Sequence, residues 1–220
     1  MEAIIEKATA YVQEFMSHYD ASHDFSHIQR VLNLAKAIEA SERARDPNLL
    51  IDGDVITLAA LLHDVGDRKY LKPGEDATTL VSKFLTSTGC PDHVAEKIQL
   101  ICTNVSYSNE LRNEAHVATL CQEVPELRLV QDADRLDAIG AVGIARMFTY
   151  TGAKENERGL STIHFYDKLL LLEERMKTET GRELARERTE RMKVFLGWWG
   201  DEVGESLSGK DAGYLLSNGH

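Results

Sequence analysis

The stretch Asp54-Val-Ile-Thr-Leu-Ala-Ala-Leu-Leu-His-Asp-Val-Gly-Asp67 decides how this chain is read. Residues 55 to 62 are almost wholly apolar, with Val55, Leu58, Ala59 and Leu62 at the spacing of one helix face, so a buried helix is expected here. Its last turn is polar. His63 and Asp64 stand side by side, and Gly66 supplies a stop. An imidazole and a carboxylate at the end of an apolar helix share a low-dielectric setting, which is costly unless a cation or a hydrogen-bond network compensates. In isolation the dipeptide would be a helix C-cap beside a surface carboxylate. The rest of the chain decides whether it is isolated.

The 220 residues suffice for one large domain with a substantial core, and 43% hydrophobic with 28% charged residues is ordinary for a globular protein. No apolar run approaches the roughly 20 residues of a membrane span. The N-terminus, Met-Glu-Ala-Ile-Ile-Glu-Lys, has neither the basic nor the long apolar region of a secretory signal, so a cytoplasmic protein without a membrane partner is expected. Cys90, Cys102 and Cys121 lie in apolar contexts without zinc-like spacing and read as buried free thiols suited to a reducing compartment. With 25 basic and 36 acidic residues the formal charge is -11, which argues against a surface for duplex nucleic acid. Small phosphorylated ligands remain open, because salt confines charge effects to about 8–10 Å.

Outward from the central stretch, residues 3 to 18 form an amphipathic helix through Ile4, Ile5, Ala8, Tyr11, Val12 and Phe15. After Ser22-His-Asp-Phe-Ser-His27 a second helix carries Ile28, Val31, Leu32, Ala35 and Ile38, so His27 lies just inside its start. His23 and His27 share a face only if that helix is continuous; if it begins between them, only His27 points inward. Arg30, three residues after His27, projects near whatever His27 binds, or else is a surface arginine paired with a carboxylate. Residues 41 to 53 read as a loop, and 66 to 75 as a polar loop carrying Asp67 and Lys69. A fourth helix runs through Ala77, Leu80, Val81, Phe84 and Leu85 to Gly89. A fifth opens at Pro91 and ends over 104 to 109. Residues 110 to 124 give only a helical turn or two.

From Leu127 an apolar pattern runs through Val142, Ile144 and Phe148, although Leu127 to Val130 alone would pass as a strand. Asp132, Asp134 and Asp137 interrupt it. Carboxylates spaced through so apolar a run imply that at least one faces inward to a positive partner. A polar loop over 152 to 161, a helix from Ile163 to Met176 bearing His164 and Lys168, and a last helix from 180 to 199 follow. The Arg- and Glu-rich face of that last helix reads as solvated, and the Gly/Ser-rich tail from 204 as mobile.

His27, His63, Asp64 and Asp134 thus come from three helices and make a mixed nitrogen and oxygen set with positions left for water and substrate. Such a set suits Mn, Fe, Co, Ni or Zn better than a closed thiolate site would. The order His, His-Asp, Asp resembles the HD-domain metal-dependent phosphohydrolases over residues 20 to about 175. Within them His23-Asp-Phe-Ser-His-Ile-Gln-Arg-Val31, Leu61-Leu-His-Asp-Val-Gly-Asp67, Val130-Gln-Asp-Ala-Asp-Arg-Leu-Asp-Ala-Ile-Gly140 and Ile163-His-Phe-Tyr-Asp-Lys168 are similar to the small single-domain nucleoside triphosphate pyrophosphohydrolases.

The resemblance implies an all-α, single-domain fold over 1–203 with a tail at 204–220. It also implies one divalent cation, Mn foremost with Fe, Co, Ni, Zn or Mg as alternatives, held by His27, His63, Asp64 and Asp134. Asp134 is preferred over Asp132 because the family's last ligand follows an alanine, here Ala133. Asp67 matches the residue that handles the attacking water. Arg30, Lys69, Arg135 and Lys168 are candidates for phosphate oxygens. His23 and Asp132 are expected to support the ligands by hydrogen bonds.

Neither His93 nor His116 falls in the motif of two-metal relatives, and Val65-Gly66-Asp67-Arg68 departs from the Glu-Asp pair of guanosine tetraphosphate hydrolases. The implied reaction is hydrolysis of an NTP or dNTP to the monophosphate and pyrophosphate by a monomer or homodimer. The alternatives are a 5′-nucleotidase or phosphodiesterase on the same site, and a non-catalytic scaffold that binds a nucleotide or metal.

Overall fold

The segment Val55 to Leu62 is buried at every residue and forms the last eight positions of a helix, Gly53–Leu62, labelled α3. Asp52 starts it by accepting from the amides of Asp54 and Val55. A computed structural model describes residues 1–17, 25–66, 74, 76–154 and 161–203 of the chain. Among them there is no strand. The helices are α1 (Glu2–Met16), α2 (Phe25–Arg45), α3, α4 (Leu80–Ser87), α5 (Asp92–Asn104), α6 (Tyr107–Arg112), α7 (Glu114–Glu123), α8 (Glu126–Asp137), α9 (Gly140–Lys154), α10 (Ile163–Asp167) and α11 (Glu179–Val203), with a 3-10 helix at Leu169–Arg175. None is long and apolar enough to cross a membrane.

Three helices make the centre. α2 packs on both α3 and α8, α3 packs on α8, and α1 and α5 close over α3. Of the stripe expected on α2, Ile28, Val31, Ala35 and Ile38 are buried and Leu32 is half-buried, with His27 in line with them. α11 lies across α8, α9 and the 3-10 helix, and its Phe195 and Trp199 join Phe148 and Phe165 in an aromatic cluster with ring centroids 5.4–6.4 Å apart. The three cysteines are buried and free, as expected.

Several boundaries differ from the sequence reading. α2 runs on through Arg45 into the expected loop, where Arg43 bonds Glu39 and the carbonyl of Ile51. α6 occupies the stretch where α5 was expected to fade, started by the Ser106 hydroxyl accepting from the Asn109 amide. α7 has ten residues instead of a turn or two. The apolar pattern after Leu127 is two helices, because the backbone turns at Gly140, whose φ of 77° is a conformation glycine adopts without strain. The stretch from 163 to 176 breaks after Asp167 and continues as 3-10 turns. The tail from 204 lies outside the described residues.

Candidate metal centre

Four side chains from the three central helices converge. His27 enters from the first turn of α2, His63 and Asp64 follow the last turn of α3, and Asp134 comes from the last turn of α8. The Nε2 atoms of His27 and His63 stand 3.3 Å apart. Asp64 places one carboxylate oxygen 3.4 Å from the first and the other 3.5 Å from the second, and an Asp134 oxygen lies 3.7 and 3.8 Å from them. Bonds of about 2.0–2.2 Å to one cation put neighbouring donors about 3.0 Å apart on an octahedral ion and about 3.4 Å apart on a tetrahedral one. The observed separations fit that scale.

The tautomers fit as well. His63 Nδ1 donates to the carbonyl of Ala60 at 2.8 Å, and His27 Nδ1 donates to the Asp137 carboxylate at 2.7 Å. With Nδ1 protonated on both rings, two Nε2 lone pairs face each other beside two carboxylates, and a cation satisfies all four. Without a metal a proton does the same work. Burial alone would lower the pKa of His27; the hydrogen bond to Asp137, and the hydrogen bond and charge of Asp64, more than offset it and raise it to about 9. Burial likewise pushes Asp137 upward, but the His27 and Arg30 hydrogen bonds prevail and hold its carboxyl well below the usual range.

The four donors line a cavity of about 640 Å³. Its wall includes Tyr107, Asn109 and Arg112 of α6, Arg146 of α9, and His164 and Lys168 after the undescribed segment. Lys168 Nζ sits 5.5 Å from the centre of the Tyr107 ring, a cation–π contact that holds it at the wall. Of the residues expected to contact phosphate, Lys168 therefore reaches the cavity. Two others do not. Arg30 is turned onto Asp137, with Nε 2.7 Å from Oδ1 and Nη2 3.1 Å from Oδ2, and is not part of the described cavity wall. Arg135 points to the opposite side of α8. It is 1% exposed, paired with the Glu110 carboxylate and donating to the Arg175 carbonyl, so no ligand in the cavity can meet it.

The support expected of Asp132 also falls elsewhere. Asp132 is wholly buried and accepts from the amides of Lys177 and Thr178 and the Thr178 hydroxyl at 2.7–3.1 Å, tying the approach to α11 onto α8. The carboxylate that orients a histidine is Asp137, three residues after Asp134. One clue was available: among three aspartates in an apolar run, only Asp134 and Asp137 share the i, i+3 relation that puts two side chains on one flank. Arg146 and the α6 residues gave no such signal, since only packing brings α6 and α9 to the cavity. His93 and His116 are exposed, and among the described residues one cluster, His27, His63 and Asp64, has metal-binding geometry by itself. His23, Asp67 and Lys69 lie outside the described residues.

A family model for the HD domain matches residues 24–139, more than half of the chain. The uncharacterized protein YpgQ of Bacillus subtilis (strain 168) is 35% identical over 195 residues, covering 87% of this chain and 89% of its own. A crystal structure of YpgQ in complex with ADP superposes with a TM-score of 0.69 at 31% identity, covering 90% of this chain and 94% of that one. An HD-superfamily hydrolase from Bacillus thuringiensis gives 0.66 at 29% identity, covering 91% and 96%. A predicted HD-superfamily hydrolase from an uncultured Thermotogales bacterium gives 0.57 at 27%, covering 89% and 92%. Both the motif order His, His-Asp, Asp and the matched span lead to one assignment: the chain belongs to the HD-domain family.

Proposed function

We propose that this protein is a metal-dependent phosphohydrolase acting on nucleotides, and that its reaction is hydrolysis of an NTP or dNTP at the α-phosphorus, releasing the monophosphate and pyrophosphate. The observation that carries the reading is the convergence of His27, His63, Asp64 and Asp134 in a cavity whose wall also holds Arg112, Arg146 and Lys168. Nitrogen and oxygen donors suit a hard or borderline divalent cation, and the guanidinium and ammonium groups suit phosphate oxygens. The cation supplies Lewis acidity and lowers the pKa of a bound water. The ADP bound by YpgQ supports a nucleotide as ligand.

Within this reading His27, His63, Asp64 and Asp134 hold the cation. Asp67 aligns the attacking water and takes its proton. Lys168 and Lys69 join Arg146 and Arg112 in meeting the phosphates. A cavity of about 640 Å³ is in the range that encloses a small organic ligand.

The test is incubation of metal-stripped protein plus Mn²⁺ with a panel of NTPs, dNTPs and NMPs, products being resolved by anion exchange and His63→Ala serving as control. Pyrophosphate and monophosphate, absent with His63→Ala, are expected. Free phosphate from monophosphates would transfer the assignment to a nucleotidase, and no product from any nucleotide would overturn it.

A further inference from the structure

Asp137, beside the candidate metal centre, accepts four hydrogen bonds from its neighbours. Its Oδ2 accepts from His27 Nδ1 at 2.7 Å, Arg146 Nη1 at 2.8 Å and Arg30 Nη2 at 3.1 Å, while Oδ1 accepts from Arg30 Nε at 2.7 Å. The carboxylate is 2% exposed, and its three partners come from two different helices, α2 and α9. Those partners differ in what they face. His27 turns its other ring nitrogen to the metal donors; Arg146, 19% exposed, lines the cavity; Arg30 lies behind and supplies a second positive charge. A single anion therefore bridges a candidate metal ligand and a cationic group of the cavity wall.

A carboxylate on the far nitrogen of a ligating imidazole fixes its tautomer and strengthens it as a donor. An arginine held by a carboxylate keeps its guanidinium plane in a set orientation, which favours directional contact with an oxyanion.

We propose that Asp137 is a positioning residue that locks His27 and Arg146 into one unit, and that Arg146 is the oxyanion contact beside the cation. This rests on the metal-dependent reading of the cavity given above.

Two titrations test it. In the first, calorimetry with Mn²⁺ alone compares the wild type with Asp137→Asn, shown to be folded by near-ultraviolet circular dichroism. The variant should bind about 10- to 100-fold more weakly, and His63→Ala should bind none. Unchanged affinity in Asp137→Asn overturns the inference and leaves the metal site standing; no uptake by the wild type overturns both.

In the second, Mn²⁺-saturated protein is titrated with inorganic pyrophosphate. Arg146→Gln should retain Mn²⁺ affinity and lose about tenfold or more in pyrophosphate affinity, the scale of a lost charge-assisted hydrogen bond. Asp137→Asn should show a comparable loss, and the double variant no more than the larger single loss. Additive losses would mean that Arg146 acts without Asp137 and would overturn the coupling. Should Asp137→Asn fail to fold, Arg146→Gln still decides: wild-type pyrophosphate affinity in that variant overturns the inference.

Discussion

The helices α3 and α8 occupy equivalent places at the centre of the molecule and are built in opposite ways. α3 is buried over eight consecutive residues, of which Thr57 alone is polar. α8 is nearly as buried, yet Glu126, Gln131, Asp132, Arg135 and Asp137 are all within it and all partnered. Glu126 accepts from the Asp52 amide and Lys97, Gln131 donates to the Asn104 carbonyl, Asp132 accepts at the approach to α11, Arg135 pairs with Glu110, and Asp137 holds His27. Burial of apolar surface is directionless, so α3 secures the core and presents chemistry only where it ends. Hydrogen bonds and ion pairs are directional, so α8 fixes where its neighbours sit as well as that they pack. Three of the four candidate metal donors arise where the two designs meet, at the end of α3 and in the last turn of α8, and His27 of α2 completes the set.

The sharpest break in that pairing is His63→Ala, which removes the polar tip of α3 and leaves its apolar body intact. Mn²⁺ uptake should vanish and turnover should fall by about 10³-fold or more, while thermal unfolding of the metal-free protein changes little; calorimetry beside a melting curve reads both. Arg135→Leu attacks α8 instead. It removes the fully buried guanidinium from the Glu110 carboxylate, which keeps Lys177 and Arg175, and should cost about 1–3 kcal/mol in urea unfolding. Adding Glu110→Leu should recover much of the loss, because an apolar pair is tolerated where half an ion pair is not.

Leu61→Ala in α3 should cost about 2–5 kcal/mol through a dry cavity, and no second charge substitution should rescue it. If both variants were rescued by the same change, the distinction between the helices would fail.

The smallest effect concerns protons. His27 has a folded-state pKa near 9 against an ordinary 6.5, so the metal-free protein gains stability from this group below about pH 6.5 and loses it as pH rises through about 9. A cation must displace that proton. Mn²⁺ affinity should therefore rise with pH, by at most about tenfold per unit, up to about pH 9. Calorimetry in buffers of different ionisation enthalpy should find close to one proton released per Mn²⁺ bound at pH 7, and none released would contradict the His27 assignment.

What was legible in the sequence follows the same division. α3 was readable because eight consecutive apolar positions followed by His63-Asp64 and Gly66 admit few other structures. His27 was readable because it continues the stripe of Val31, Ala35 and Ile38. The roles of Asp132, Arg135 and Arg30 were not, because one position along a buried helix turns a side chain by about 100° and spacing alone does not say which neighbour waits there. Asp134 faces the cavity while Arg135 faces Glu110. The cavity wall was least legible of all: α6 is six residues long and short elements leave no periodic signature, so Tyr107, Asn109 and Arg112 reach the site through tertiary packing.

One wall residue also bears on the charge of the cavity. Cys102 lines the cavity, and its thiol is pushed far above the ordinary range, first by burial and then by the negative charge of Asp64. At neutral pH it stays protonated, a weak donor resting against the Ala59 carbonyl. A thiolate therefore faces the cavity only if its proton is displaced. A cysteine in the cavity wall thus offers, at neutral pH, a small and uncharged surface that adds nothing to the negative charge of the neighbouring carboxylates.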